Sequence, residues 1–246
     1  MRKGKFIYAL IYLTVLFSLT GCGGSLGVAA RDDGKADVSL FMDTGKAASN
    51  MIASIMASLY PSASSGKGAV FTPDRAAALE KSLSGGELEA VKAEALSPSV
   101  LSLAATIKDA ASRNSDSQPG VLLSSMVRQS GDKMTLTLSP EVLRGLYGSM
   151  DEQTRGYVDL FMAPVFTGEE MEGAEYAALI GSIYGKDMAD ELSTAMLELT
   201  LAAPKGRKVK SCSASDARLS GRRASIQLPV LDLLVLTQER TYSITW

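Results

Sequence analysis

The sequence predicts an α+β fold, in which a mostly antiparallel sheet carries helices packed on one side. Three observations predict it. Two apolar runs flank a turn at residues 32–35, apolar and polar residues alternate at 133–138, and a hydroxyl, a proline and an acid occur in that order at 72–74, as at the start of a helix. We place one domain of this class at residues 27–246.

The first predicted elements are a hairpin and a helix. Residues 25–31 and 36–42 flank a turn whose Asp and Gly tolerate positive φ, which predicts a β-hairpin. Asp43 or Thr44 then caps a helix that runs to about Tyr60, because apolar residues recur there on one helical face.

The next segments are one clear helix and one ambiguous pair. The helix begins after Thr72 and ends near Leu83, before two glycines. Residues 87–95 and 100–109 surround a Ser-Pro-Ser turn. Their alanines favour two short helices and the turn favours two strands, and we prefer the strands.

A second hairpin follows a polar loop at residues 113–120. Its strands are predicted at 121–128 and 133–138. Ser139 and Pro140 then repeat the cap of the earlier helix and begin another one. The repetition could reflect an internal duplication of a strand-to-helix unit, but we interpret it as independent use of a common cap.

Helices dominate the region after this. Residues 151–185 predict two helices that are broken near Pro164. Residues 187–201 begin as a helix and end extended towards Pro204.

The last segments return to strands. Residues 207–214 and 222–228 predict a third hairpin, and residues 229–234 a short helical turn. Alternating apolar residues at 241–246 predict a final strand, which ends inside the sheet on Trp246.

The chain begins with a leader of three parts. Residues 1–5 carry three positive charges, residues 6–19 are uncharged and mostly apolar, and residues 19–22 are Leu-Thr-Gly-Cys. A membrane-spanning helix needs about 20 apolar residues, so the shorter run fits the core of a signal peptide. The Leu-Thr-Gly-Cys order resembles the lipobox of bacterial lipoproteins, which signal peptidase II cleaves.

This resemblance implies that Cys22 is lipidated after cleavage and holds the exported protein at a membrane. Residues 1–21 are then the signal peptide, and residues 22–26 are a short Gly-rich tether. Gly23 stands where an Asp would imply retention at the inner membrane, so the sorting rule of the family favours the outer membrane. The alternative is an uncleaved anchor in which Cys22 is an ordinary thiol.

Composition excludes several classes of function. Removal of the leader leaves 22 basic and 27 acidic residues, a net charge of about −5, so an exported, aromatic-poor chain is not expected to bind nucleic acid. Cys212 is then the remaining thiol, so no internal disulfide can form. The absence of histidine removes the usual neutral-pH general base and the commonest metal ligand. We expect no cofactor, no metal site and no enzymatic activity.

Two groups of residues have the types found in catalytic sites but lack the required context. Ser64 and Lys67 have the serine–lysine spacing of penicillin-recognising hydrolases, yet neither a Lys-Thr-Gly nor a Ser-Asp-Asn triplet accompanies them. Four acids at 169–175 could supply paired carboxylates or a cation site. Because they occupy the first turns of a predicted helix, we interpret them as compensating the helix dipole.

Charges of opposite sign are segregated in the second half of the chain. Residues 151–191 are rich in acids, and the following segment carries seven basic residues, here called the basic cluster. The cluster could contact anionic lipid headgroups, at about 1 kcal/mol per nearby cation, or a protein partner in the envelope. The alternative is a solvated strand face that the acidic helices neutralise. The members of the basic cluster are Lys205, Arg207, Lys208, Lys210, Arg218, Arg222 and Arg223.

Six apolar residues on three predicted helices could line a groove for an acyl chain or an apolar peptide, although methionine on such a face more often belongs to the core. These residues are Met51, Met56, Phe161, Met162, Met188 and Met196. The favoured function is a lipid-anchored envelope protein with a structural or protein-interaction role. The alternatives are a carrier of lipid or another hydrophobic ligand, whose identity the sequence leaves open, and a histidine-free hydrolase.

Overall fold

The computed structural model of the chain describes residues 23–59, 71–84, 87–111, 126–148, 159 and 161–246. The leader, Cys22 and the serine–lysine motif lie outside these residues. So do the predicted loop at 113–120 and the segments at 121–125 and 151–158.

The described residues contain eleven strands and seven helices. The strands are β1 (Gly24–Ala30), β2 (Ala36–Asp43), β3 (Leu88–Ser97), β4 (Val100–Ile107), β5 (Val127–Ser130), β6 (Lys133–Leu138), β7 (Met196–Ala202), β8 (Ser211–Cys212), β9 (Arg218–Ser220), β10 (Arg223–Pro229) and β11 (Arg240–Thr245). The helices are α1 (Lys46–Leu59), α2 (Pro73–Leu83), α3 (Pro140–Gly148), α4 (Pro164–Thr167), α5 (Gly173–Tyr184), α6 (Lys186–Thr194) and α7 (Val230–Leu234).

The strands form two sheets. The larger has the order β3–β4–β2–β1–β7–β10–β9, and the smaller has the order β5–β6–β11–β8. Neighbouring strands are antiparallel, except that β1 and β7 are parallel. The predicted α+β class with a mostly antiparallel sheet is therefore confirmed, and the division of the strands between two sheets is a further feature.

One face of the larger sheet is buried and the other is open. Along β2, Val38, Leu40 and Met42 are buried, whereas the residues between them are exposed, as expected for a strand with one solvent face. The buried face shares one apolar core with residues of α5 and α6, including Tyr176 and Leu192. The helices of this core thus lie on one side of the larger sheet, and the other side forms an open face.

Local signals in the sequence place several elements correctly. The hydroxyl of Thr72 accepts a hydrogen bond from the amide of Arg75 at 3.3 Å at the start of α2. Ser139 accepts one from the amide of Val142 at 3.2 Å at the start of α3. Gly34 has a φ of 79° in the turn between β1 and β2, which confirms the first hairpin.

The ambiguous pair and the end of the chain also follow the predictions. Segments 87–95 and 100–109 are the strands β3 and β4, which pair antiparallel. Segment 187–201 is helical and then extended, as α6 and β7. The final strand buries Ile244 and brings Trp246 into the core.

The predicted hairpin between 207–214 and 222–228 is wrong. Strand β10 forms its hairpin with β9, and Arg223 lies opposite Ser220. Residues 211–212 instead form β8 and pair with β11 in the smaller sheet. The hydroxyls of Ser211 and Thr245 lie 2.7 Å apart there. The physical reason is that β11 pairs with β6 along one edge, which leaves its other edge free. Residues 211–212 pair with that free edge.

Two boundaries also differ from the predictions. Strand β1 begins at Gly24, so three residues assigned to the flexible tether are hydrogen-bonded strand. Pro164 occupies the first position of α4 instead of breaking a longer helix, because proline is compatible with the first helical turn.

Candidate functional site

The larger sheet has two ends with different chemistry. At one end, Gly24 begins β1, opposite Met42 of β2 and Leu197 of β7; we call this the anchor end. At the other, Ala202 of β7 lies between Ala29 and Arg223, and we call this the far end. Because a strand rises about 3.3 Å per residue, the five steps from Gly24 to Ala29 span about 17 Å.

The anchor end holds the chain rigidly up to the residue after the lipobox cysteine. The amide of Asp43 donates to the carbonyl of Gly23 at 3.1 Å, so the ladder between β1 and β2 extends one residue beyond Gly24. Consecutive Cα atoms are 3.8 Å apart, so the Cα of Cys22 lies within about 8 Å of that of Gly24. A lipid on Cys22 would therefore be attached almost directly to the sheet.

A glutamate from a distant helix caps α1 at the anchor end. The carboxylate of Glu191 accepts hydrogen bonds from the amides of Lys46 at 3.0 Å, Ala47 at 2.8 Å and Ala48 at 3.4 Å. Gly45 precedes them with a φ of 63°, and a Cβ there would lie 2.6 Å from a Glu191 oxygen. Glu191 thus fixes the start of α1 against α6 instead of serving as a free acid.

Four members of the basic cluster lie at the far end, whereas Arg218 lies further along β9 and Lys210 lies beside β11 of the smaller sheet. Lys205 and Arg207 follow the end of β7, and Arg222 and Arg223 form the turn between β9 and β10. Six of the seven side chains are exposed, and Arg222 is half-buried. Within the described parts of the chain, the ion pair of this cluster joins the Nε of Arg207 to Asp32 in the first hairpin turn, at 3.6 Å.

The acidic helices use their charges locally. Glu172 and Glu175 form a reciprocal capping box at the start of α5, with the amide of Glu172 donating to Glu175 at 3.2 Å. Lys186 pairs with Asp190 one turn along α6, which raises the pKa of Lys186 through that hydrogen bond. These contacts agree with the interpretation of the glutamates as charges that stabilise a helix start. No group of three or more acids and cysteines that could hold a metal occurs in the described residues.

Among the described residues, the side chains predicted to line a methionine groove do not share one environment. Phe161 and Met188 are buried in the core, whereas Met162 is exposed. Met196 belongs to strand β7 instead of a helix and lies on the open face of the sheet, away from the core. The side chain of Met56 lies outside the described residues. The buried members contribute to packing, and the exposed ones lie on different surfaces.

A hollow of about 420 Å³ on the open face was not predicted from the sequence. Its walls include Asp37, Ser39, Thr106 and Arg222. Asp37 accepts a hydrogen bond from the hydroxyl of Thr106 at 2.9 Å. The lining combines these polar groups with small apolar side chains such as Ala104 and Ala202.

The hollow exists because small residues alternate along its central strands. Ser25, Gly27 and Ala29 of β1 face outwards beside Ser39 of β2, and a Cβ on Gly27 would lie 2.5 Å from the Ser39 hydroxyl. In the sequence, the sign of this hollow is that Ser, Gly and Ala occupy every second position of β1. This pattern identifies an open sheet face only when the partner strands are known.

Among the described helices, none is both long enough and apolar enough to cross a bilayer. No protein-family model matches the sequence, and no curated protein matches it. Among solved structures, the chain is similar to the NMR structure of the folded domain of the LppM protein of Mycobacterium tuberculosis, with a TM-score of 0.35 and 11% identity. The alignment covers 91% of this chain and 87% of that one.

Proposed function

We propose that this protein is an exported lipoprotein of the bacterial cell envelope, anchored through lipid on Cys22, with a non-enzymatic structural or protein-interaction role. The observation that carries this proposal is that a central strand begins at Gly24, two residues after Cys22, and that Cys22 ends a signal peptide with a sequence that resembles a lipobox. Because the described sheet begins after Cys22, cleavage before Cys22 would remove the leader without removing any residue of β1.

Lipidation at this position gives stable membrane attachment. One acyl chain contributes about 0.8 kcal/mol per buried methylene and binds only marginally, whereas two or more chains hold a protein at the membrane. A diacylglyceryl group with a further amide-linked chain meets that requirement. Gly23, in place of an aspartate, favours the outer membrane where the envelope has one.

The basic cluster supports the interaction role. Its members Lys205, Arg207, Arg222 and Arg223 lie at the far end, about 17 Å or more from the start of β1, so they face away from the lipid attachment when the sheet stands on the membrane. A partner that meets it carries negative charge, because complementary charges accelerate encounter and exclude other partners. A non-enzymatic role is also supported by the lack of histidine in the sequence.

The experiment that tests this proposal compares Cys22→Ser with Cys212→Ser in cells fed labelled palmitate. Cys22→Ser should lose the label, keep its leader uncleaved at this site and leave the lipid-anchored fraction. Cys212→Ser is the matched control, because Cys212 lies in β8 of the smaller sheet. Like the parent protein, it should carry the label, lose its leader and stay in the lipid-anchored fraction. Palmitate on the Cys22→Ser protein, or its loss from the Cys212→Ser protein, would contradict lipidation at Cys22.

A further inference from the structure

Large apolar side chains are exposed at one corner of the open face. Half of the six exposed large hydrophobic residues among the described residues lie there: Phe41 is 42% exposed, Leu96 52% and Met196 37%. We call these three residues the apolar corner. The others, Met162, Ile183 and Leu219, lie elsewhere.

Strand pairing places the apolar corner at the anchor end. Phe41 lies opposite Ser25 of β1, one position beyond the strand start. Met196 immediately precedes Leu197, which lies opposite Gly24. Leu96 is the extra residue of a bulge at the end of β3, just before the pair formed by Ser97 and Val100.

Phe41 and Met196 project from the same face of the sheet. Phe41 shares the exposed side of β2 with Ser39, and Ser39 lies opposite Gly27. Gly27 in turn lies opposite Thr200, which is four residues from Met196 on the same side of β7. Leu96 follows two residues after Glu94, whose partner Ser102 lies opposite Phe41. The three side chains of the apolar corner thus lie on one face of the sheet, on the alternate strands β3, β2 and β7, which β4 and β1 separate.

We propose that the apolar corner rests in the interface of the phospholipid membrane that holds the lipid on Cys22. This inference depends on the proposed lipid anchoring. Phe41 and Met196 are on the two strands that flank β1, about 4.8 Å to either side, and the anchored residue lies within about 8 Å of Gly24. Apolar side chains of peripheral proteins enter the interface by about 5–10 Å, which is within reach of this geometry.

The position of the lipid determines the occupant of the apolar corner. Only two residue steps separate Cys22 from the first residue of β1. Once the acyl chains on Cys22 are inserted, the membrane is therefore held beside these three side chains at a high effective concentration, which a freely diffusing partner does not reach. The basic cluster is then held at the far end, above the surface. The apolar corner therefore sets the orientation of the domain, and the lipid supplies the attachment.

Tryptophan fluorescence tests this orientation in the full lipidated protein. Phe41→Trp and Met196→Trp report on two strands of the apolar corner, and Leu219→Trp is the matched control because Leu219 is 49% exposed on β9 at the far end. Trp246 is buried and supplies the same background in every protein. Each variant is reconstituted in phosphatidylcholine vesicles with or without bromine on the acyl chains near the headgroup.

We expect brominated lipid to lower the added emission of Phe41→Trp and Met196→Trp by about twofold, because interfacial side chains lie within 5–10 Å of the acyl boundary. Leu219→Trp should show no change beyond that of the parent protein. Absence of quenching at both corner positions, or equal quenching at Leu219, would overturn the inference. So would a dimer in the vesicles with the corner positions unquenched, since a second copy would then cover the corner.

Failure of the anchoring itself is detected separately. The mass of the N-terminal peptide reports lipid on Cys22, and flotation reports attachment to vesicles. A protein that carries lipid and floats but is not quenched retains the anchor and refutes the docking of the corner. A protein that carries no lipid refutes the anchoring. Circular dichroism of each variant confirms folding, and the two corner variants provide independent readings.

Discussion

Removal of the Glu191 carboxylate should weaken the contact between α1 and α6. The first amides of a helix lack partners within the helix, and here Lys46, Ala47 and Ala48 donate to one side chain from a segment about 145 residues away in sequence. The Asp43 carboxylate instead accepts from the amide of Gly45 at 3.1 Å. No nearby residue of α1 therefore replaces Glu191 as the cap among the described contacts.

The magnitude follows from the geometry. Hydrogen bonds to a charged group contribute about 1.5–3 kcal/mol, and loss of a helix cap costs about 0.5–2 kcal/mol. Two of the three distances are 3.0 Å or shorter, but Glu191 is half-exposed, so water replaces part of the loss. We expect Glu191→Ala to lower the free energy of unfolding by about 2 kcal/mol, and Glu191→Gln by about 1 kcal/mol because an oxygen acceptor remains.

Urea unfolding of a protein that begins at Gly23, and so carries neither the leader nor the lipid, measures this difference when it is followed by circular dichroism. Glu170→Ala is the control, because Glu170 is exposed in the segment between α4 and α5. It should change the free energy of unfolding by less than about 0.5 kcal/mol. The reasoning would be refuted if Glu191→Ala matched this control, or if Glu191→Gln were as destabilising as Glu191→Ala.

Two further changes test the core and the far end. Tyr176→Phe should lower the free energy of unfolding by about 1–2 kcal/mol in the same urea assay. The reason is that the fully buried Tyr176 hydroxyl donates a hydrogen bond to the carbonyl of Phe161 at 2.8 Å. Burial raises the pKa of Tyr176, so the hydroxyl keeps the proton that it donates. The half-buried Tyr242→Phe is its control, and an equal loss in both would contradict a specific role for that bond. Replacement of four cations of the basic cluster by Glu should abolish the carbodiimide crosslinks that join lysines of the cluster to carboxylates of an envelope partner. Replacement of Lys81 and Lys133 by Glu is the control and should leave these crosslinks in place. Crosslinks that survive the four replacements would refute an acidic partner. The four replaced residues are Arg207, Lys208, Arg222 and Arg223.

Elements specified by neighbouring residues were predictable from the sequence. The caps at Thr72 and Ser139 and the turn at Gly34 act over three or four residues, so their signals are complete within a short window. The alternation of β6 was also sufficient, because one face of that strand is buried. These local rules are the reason that the α+β class and most boundaries were correct.

Features that depend on distant residues were not predictable. Strand β8 is only two residues long and exists because β11 offers it a free edge, which the sequence around Cys212 does not encode. The cap of α1 comes from Glu191, whose position in the acidic segment predicted only a dipole effect. The apolar corner depends on the register of five strands, so Phe41, Leu96 and Met196 come to the same end of one sheet face only after folding.

The place of β1 in the sheet bears on how the proposed attachment through Cys22 would load the fold. Although β1 is the first strand of the chain, it lies between β2 and β7 and pairs with both, over seven and six residue positions. A strand at an edge would have one ladder, and a pull on its first residue would open the hydrogen bonds one at a time. A pull on Gly23 is instead shared between two ladders whose inner side chains, including Val28, are buried. With lipid on Cys22, as proposed, a pull from the membrane would therefore act on a central strand with buried side chains instead of an edge strand.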